Sequence, residues 1–368
     1  MGSRCGPNSE SWASGNTGGP AQSEMVRKPR PGEFHPTVTV VVPTLEADET
    51  LAACLASLER QTFCDFETIV VDNSARGAVR LSEQAIGSRV RVIVNDRNVG
   101  FGAAVNQAFR QSASKYIAVL NDDAAAHPAW LEALVAAIEP RPGAGMCACQ
   151  VLDADSGNLD SAGMLLCLDG SSKQRGHLES PANFARAEEA LLPSGSAALY
   201  RREMLDEIGI FDESFFLYCE DTDIGLRARW AGWECLYVPG AIVEHRYSHS
   251  SGKASALKAY YVERNRLFVI FKSFPLLDLL RVPFYATARY FWHFLYALRG
   301  RGKAAEFRQA GGSLIRLPWY VVRGHLELLA RFPEVWRQRR NIKRRLSAKQ
   351  FRRLIRRYSI SPRQVAAL

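Results

Sequence analysis

The chain has no Cys-x-x-Cys pair and none of the Cys and His spacings that a structural zinc site needs, although it holds eight cysteines (Cys5, Cys54, Cys64, Cys147, Cys149, Cys167, Cys219 and Cys235). That excludes zinc ribbons and dithiol redox motifs. Several of these cysteines sit inside apolar runs, where a reduced, buried thiol is the default. Cys147 and Cys149, two apart, would face the same side of a strand and are poorly placed to pair with each other. An apolar signal core is also missing near the start, so a reducing, cytoplasmic compartment is expected. Acid is absent from 335 to 368, where twelve Lys or Arg stand. The net charge of +9 therefore belongs to that tail, and the rest of the chain is slightly acidic. Long uncharged runs are lacking as well. The aromatic stretch 267–298 is interrupted by Lys272, Pro275, Asp278, Arg281, Pro283 and Arg289, well short of the ~20 apolar residues a membrane span requires. Large apolar residues are scarce from 1 to 35, a Gly-, Ser-, Pro- and Asn-rich segment that reads as a disordered leader. What remains has the composition of a soluble globular protein.

Order is expected from Thr37. Val38-Thr39-Val40-Val41-Val42 is a β-branched strand stopped by Pro43. Leu51, Leu55 and Leu58 predict a helix over 49–61. A second strand over 66–71 ends in Asp72-Asn73-Ser74, and a third over 90–94 leads into Asn98-Val99-Gly100-Phe101-Gly102. A helix over about 103–112 then precedes Tyr116-Ile117-Ala118-Val119-Leu120, a short apolar strand that runs straight into Asn121-Asp122-Asp123. Strands and helices alternating at this spacing imply an α/β fold with a mostly parallel sheet. Each strand delivers polar residues at its carboxyl end, where ligands sit in open α/β sheets. Carboxylates placed there suit Mg2+ or Mn2+, which in turn holds a diphosphate. A second reading is that Asn121 and Asp122 cap the helix before Trp130. The Gly100-x-Gly102 turn lacks the third glycine of a dinucleotide fingerprint and follows the third strand, so close approach of backbone to a ligand is its better use.

Beyond 145 the pattern loosens until 192–200, a strand entered through a turn at Gly195. Phe215-Phe216-Leu217-Tyr218-Cys219 then meets Glu220-Asp221-Thr222-Asp223, where a helix is expected to start. Ile224, Ala228 and Ala231 share its face and Gly232 ends it. Carboxylates at a helix N-terminus gain roughly 0.3–1 kcal/mol each from the dipole. One of them would be ionised and able to take a proton, with Asp223 as the cap. Two strand-like runs, 236–239 and 241–245, lead to His245 and His249, one of which is expected to serve as a ligand.

The order of Val40-Val41-Val42-Pro43-Thr44, Val70-Val71-Asp72-Asn73-Ser74, Asn98-Val99-Gly100-Phe101-Gly102 with Asn106, Leu120-Asn121-Asp122-Asp123 and Glu220-Asp221-Thr222-Asp223 resembles the family 2 inverting glycosyltransferases, most of all their rhamnosyltransferase-like branch. The resemblance covers about residues 37 to 270. It implies a GT-A fold, a Rossmann-like nucleotide half merged with an acceptor half, over 36–265, followed by a helical region over 266–368. Pro43, Thr44 and Glu46 would line the nucleotide pocket, and Asp72, with Asn73, would meet the base. Asn98, Gly100 and Asn106 would lie along the donor. The family's metal motif is usually Asp-x-Asp. Here it starts at Asn121, passes Asp122 and ends at Asp123, which leaves Asp123 as the charged ligand of the pair, with His245 completing a Mg2+ or Mn2+ site. Asp221 matches the catalytic base, and Gly195, after Ser194, falls where the acceptor-side loop meets the donor sugar. The reaction implied is a single inverting displacement on a nucleotide-sugar. dTDP-rhamnose is the favoured donor, UDP- and GDP-sugars are the alternatives, and a glycan or polyprenyl-linked molecule is the acceptor.

Aromatics mixed with arginine in 267–298 fit interfacial helices. The tail spaces basic pairs around Ile342, Leu346, Phe351, Leu354 and Ile355, an amphipathic pattern suited to an anionic membrane surface. A solvated charged helix is the plainer alternative. Nucleic acid is not expected, because no aromatic stacking platform or reading motif accompanies the basic run. A peripheral place on the inner face of the plasma membrane is the expectation, with pairing of two copies through the apolar helices as another use for them.

Overall fold

The computed structural model describes residues 35–79, 89–246, 256–302, 307 and 316–367, so the 1–35 leader, but for His35, along with Cys5 and His249, lies outside them. Strands β1 (Val38–Thr44), β2 (Phe66–Asp72), β3 (Val90–Val94) and β4 (Tyr116–Leu120) are parallel in the order β3-β2-β1-β4, with helices α1 (Glu49–Glu59) and α2 (Phe101–Arg110) in their crossovers. All five residues of β4 are buried, which is why its sequence is a continuous apolar run rather than an alternating one. After β5 (Ala124–Ala126) and α3 (Trp130–Ile138) the chain forms β6 (Ala144–Asp153), β7 (Leu159–Ser161), β8 (Met164–Leu166), β9 (Ser172–Gln174), β10 (Glu188–Ala190) and β11 (Ala197–Arg201). Helices α4 (Arg202–Ile208) and α5 (Glu220–Trp230) precede β12 (Glu234–His245). The sheet continues β4-β11-β6-β12-β10, with β11 antiparallel to both neighbours and β6 parallel to β12.

Each face of the sheet carries its own apolar layer. Leu51, Leu58, Trp130 and Leu131 cover one face, and Val105, Phe109, Met204 and Ile224 cover the other. Insertion of β11 pairs Ala197 with Leu120, and Asn121 N donates to Ser196 O at 2.9 Å. The two polar loops, 75 positions apart at Asn121 and Ser196, thus become backbone neighbours.

Several local expectations are corrected. The strand expected over 192–200 is confined to Ala197–Arg201, and the two runs before His245 form one strand with a register shift between Val238 and Ile242. Neither Asn121 nor Asp122 caps α3, whose N-cap position is Ala129 without a side-chain bond. Asp223 is no cap either, because Cys219 holds that position on α5. Asp223 lies inside the first turn, fully buried, and pairs with Arg227 Nε at 2.8 Å and Lys272 Nζ at 2.7 Å. The stretch before it is irregular: Phe216, Tyr218 and Cys219 all adopt left-handed backbone, with φ of 63°, 69° and 67°.

The remaining helices are α6 (Ala256–Ser273), α7 (Leu276–Leu279), α8 (Val282–Leu298), α9 (Leu317–Asn341), α10 (Ala348–Arg357) and α11 (Pro362–Ala367). None of the described helices is long and apolar enough to cross a membrane. The basic tail differs from the free amphipathic helix expected of it. Ser347 and Gln350 form a capping box on α10, and its apolar side is buried, with Phe351 stacked on Trp230 of α5 at 3.8 Å between ring centroids. Arg345, Arg352 and Arg357 reach Glu207, Asp278 and Glu189. The amphipathic pattern therefore reports docking, with Phe351 and Ile355 buried and Leu346 and Leu354 half-buried against the same cluster.

Candidate active site

A cavity of about 940 Å³ opens at the carboxyl ends of β1, β2 and β4. Pro43, Thr44, Asn73, Asn98 and Gly100 line its nucleotide-side wall; Asn121, Asp122, Asp123, Gly195, Asp221 and His245 line the rest of its floor. Three of the expected site residues do not line it. Glu46 is exposed, with its backbone carbonyl bonded by Thr44 Oγ1 at 2.7 Å. Asp72 is fully buried and accepts from Ser74 N at 2.8 Å and Val79 N at 2.9 Å. Burial opposes ionisation there, but the bonds from Ser74 and Val79 outweigh it and hold the carboxyl below its ordinary range. Its role in this structure is to shape the loop that presents Asn73. Asn106 is buried and bonds both ways with the Phe211 backbone, at 2.9 and 3.1 Å. It anchors α2 to the segment below the site.

The glycine turn works by close approach. Gly100 has φ +89°, its N–H donates to Asn98 Oδ1 at 2.9 Å, and a Cβ built on it would lie 2.4 Å from Phe216 O. Phe101 N donates to that same oxygen at 2.8 Å. The donor-side turn thus locks directly onto the left-handed segment that leads to Asp221.

Asp221 sits at the start of α5. Its Oδ2 accepts from Gly195 N at 3.0 Å and its Oδ1 from Thr222 N at 2.6 Å. Burial raises its pKa against the pull of these N–H groups. Burial and the Asp221 charge push the adjacent Glu220 up to about 8, and Glu220 Oε2 has no hydrogen-bond partner among the described residues. Near neutrality Glu220 keeps its proton, and Asp221, its oxygens held by the Gly195 and Thr222 N–H groups, faces the cavity. That is the disposition of a general base.

On the floor, burial pushes Asp122 up to about 6, with the Asp123 and Asp48 charges adding to it against a hydrogen bond with Thr44. His245 Nε2 lies 3.1 Å from Asp123 Oδ1 and 3.5 Å from the Asn121 amide. Behind it, His245 Nδ1 meets Asp160 Oδ2 at 3.1 Å, and His177 Nδ1 meets Asp160 Oδ1 at 3.4 Å. Burial alone would lower the imidazole pKa; the bonds and charges of Asp123 and Asp160 lift it to about 10. Among the described residues no three His, Cys, Asp or Glu side chains form a metal-holding cluster. The Asp123–His245 pair still fits a cation that displaces the imidazolium proton and takes its other oxygens from water and a diphosphate, as Mg2+ commonly does with one or two carboxylates. Asp160 supplies the carboxylate-to-imidazole contact that orients a ligating histidine.

Asp160 escaped sequence reasoning because it lies 85 positions from His245 in a stretch with no strong period. So did Asn265 on α6, whose Nδ2 donates to Phe215 O, Leu217 O and Tyr218 O at 2.9, 2.8 and 2.7 Å. The polar run Glu263-Arg264-Asn265-Arg266 inside an otherwise apolar helix was the available signal.

The model for "Glycosyltransferase like family 2" matches residues 35–268 of this chain. The chain belongs to that family. Among curated relatives of this glycosyltransferase is the N-acetylglucosaminyl-diphospho-decaprenol L-rhamnosyltransferase of Mycobacterium tuberculosis, 30% identical over 60% of this chain and 80% of that protein. The O-antigen biosynthesis protein RfbC of Myxococcus xanthus is 27% identical over 64% of this chain, which spans 20% of that longer protein. Among solved structures, GalNAc-T7 with UDP, GalNAc and Mn2+ superposes with a TM-score of 0.54 at 15% identity, over 77% of this chain and 56% of that one. The family 2 chain thus has the GT-A architecture that its motifs implied, and it is a transferase.

Proposed function

We propose that this glycosyltransferase moves a sugar, with rhamnose favoured, from a nucleoside diphosphate to a hydroxyl of a lipid-linked or glycan acceptor, with inversion at the anomeric carbon. The observation that carries this reading is the position of Asp221, half-buried, held by the Gly195 N–H and lining the cavity whose nucleotide-side wall holds Thr44 and Asn73. Asp221 would take the proton from the acceptor hydroxyl as that oxygen attacks the carbon opposite the departing diphosphate. One displacement suffices, so no carboxylate nucleophile is required, in contrast to retaining glycosidases. Gly195 and Thr222 hold the Asp221 oxygens in place, and Asn73, Asn98 and the Gly100 turn would bind the nucleotide side. Asp123 and His245 would hold Mg2+ or Mn2+, which when bound supplies positive charge to the diphosphate leaving group.

The donor preference for dTDP-rhamnose over UDP- or GDP-sugars rests on the mycobacterial relative, as does a polyprenyl-linked acceptor. A peripheral place on the anionic inner face of the plasma membrane follows from such an acceptor. The test is release of nucleoside diphosphate from a panel of nucleotide-sugars, with Mg2+, Mn2+ or EDTA and lipid-linked acceptors, for the wild-type chain and Asp221→Asn. Acceptor-dependent turnover of one donor, lost in the variant, is expected. Donor binding without turnover under every condition would overturn the proposal.

A further inference from the structure

The cavity that holds Asp221 also runs between α8 and α9, where Phe294, Ala297, Phe307, Leu317, Val321 and Val322 line it. Polar groups are few here: Tyr320, and Tyr290, whose hydroxyl is already bonded to Glu263 at 2.8 Å. The imidazole at its side, His293, is held down at about 4 by burial and by the Arg289 and Lys173 charges, so it is neutral near pH 7. The Arg289 guanidinium is already matched by Asp169 and Glu263. A nucleotide or a free sugar would leave its hydrogen-bonding groups unsatisfied here, at a cost of about 1–3 kcal/mol per buried group.

The outer surfaces of the same two helices are apolar as well. On α8, Phe284, Phe291 and Leu298 recur every seven residues and, with Phe294, form one exposed stripe; Phe284 is 76% exposed and Phe294 62%. On α9, Trp319, Val322, Leu326 and Leu329 repeat at intervals of three and four, with Leu329 at 69%. Phe294 and Val322 belong both to these stripes and to the cavity lining, so the apolar arm is continuous with the apolar exterior. Arg281, Arg299 and Arg316 stand exposed at the helix ends, where anionic headgroups would meet them. Apolar exterior on this scale marks an interaction site in a soluble chain.

We infer that the arm between α8 and α9 binds the isoprenoid chain of a lipid-linked acceptor, which reaches Asp221 from a bilayer against which the exposed stripes of both helices rest. This rests on the transferase reading above and gives the polyprenyl part of its acceptor a place in the fold. It also moves the lipid-facing surface from the basic tail, whose apolar side is buried on Trp230, to α8 and α9.

The experiment is photolabelling of the full chain with a benzophenone-bearing geranyl phosphate, the labelled peptides being mapped by mass spectrometry. Saturable labelling is expected on the peptides that carry Phe294 and Ala297 and on those that carry Leu317 to Val322. Excess undecaprenyl phosphate should suppress it at least about tenfold, whereas inorganic phosphate should not. Ala297→Trp fills the arm and should cut labelling by a similar factor. Val322→Asp, at a half-exposed position that folding tolerates, gives the same readout if the first variant fails to fold. Labelling scattered over the surface, or suppressed equally well by a palmitoyl lysophospholipid, would overturn the assignment to an isoprenoid, and a dimer that buries the stripes without labelling would overturn it in favour of a second copy. Transfer to a short water-soluble acceptor without any such labelling would refute this inference alone. Specific labelling of a chain that transfers no sugar would support the isoprenoid arm while refuting the transferase reading.

Discussion

Asn265→Leu offers a sharp test of how Asp221 is placed. The side chain of Asn265 is fully buried, and its amide serves three carbonyls, of Phe215, Leu217 and Tyr218. These carbonyls belong to a segment that places three non-glycine residues in left-handed backbone just before Glu220. Such a conformation costs on the order of 1–3 kcal/mol per residue and persists only where the surroundings impose it. Leucine has nearly the same shape but no donor; Phe215 O keeps its bonds from Arg264 and Leu217 N, whereas the Leu217 and Tyr218 carbonyls lose the Asn265 donor, at about 1–3 kcal/mol each. The segment then gains by relaxing, and its relaxation carries the start of α5 with it. A displacement of Asp221 by about 1 Å is enough to lower kcat by roughly a hundredfold. Donor affinity should fall less, because Thr44 and Asn73 belong to other elements and only the Asn98–Gly100 turn, which locks onto Phe216 O, reaches the relaxed segment. Initial rates of nucleoside diphosphate release, with donor titration by calorimetry on the same preparation, separate the two effects. Unchanged kcat, or equal losses of kcat and donor affinity in a folded variant, would refute the reasoning.

Four further outcomes are expected. Gly100→Ala puts a Cβ 2.4 Å from Phe216 O at a backbone of φ +89°, so a lowered melting temperature, by several degrees, and weaker donor binding should accompany each other. For Glu220 the folded pKa, about 8, lies above its ordinary value. The folded state therefore binds the proton more tightly, and stability falls as pH rises from the ordinary carboxylate range through 8. Glu220→Gln removes that loss, and melting curves should show it gaining on wild type at about pH 9 relative to about pH 5, with no such gain counting against a protonated Glu220. Asp123→Ala and His245→Ala should each weaken Mn2+ binding in the presence of nucleoside diphosphate, and Asp160→Asn should do so by roughly tenfold, as read by the electron paramagnetic signal of free Mn2+. Phe351→Ala removes the stack on Trp230 and should destabilise the chain by about 3–5 kcal/mol, measured by denaturant unfolding.

The nucleotide half was legible because β1 and β4 are buried on both faces, so β4 is written as an unbroken apolar run and β1 as a valine run broken only by Thr39, each stopping at polar residues. Motif order then carried Asn121, Asp123, Asp221 and His245 to one cavity. The direction of β11 was not legible, since five buried residues read the same parallel or antiparallel. Side chains that act behind the site were equally hidden. Asp160 and Asn265 join it through contacts across 85 and about 50 positions, and no local period records such contacts. Asp72 and Asn106 do not line the cavity, and a motif that marks them does not distinguish a residue that meets a ligand from one that holds the loop around it. For the tail, amphipathicity correctly announced a buried face, but only packing says what buries it.

The antiparallel β11 carries one more consequence. Because Asn121 and Ser196 are joined through their backbones, the donor floor and the acceptor-side loop are adjacent threads of one woven sheet. They cannot close on a substrate like two jaws about a hinge. Whatever order the two substrates follow must be enforced by loops and helix ends above a floor that stays still, so a change of acceptor preference can be grafted onto those upper parts without reopening the place where the donor rests.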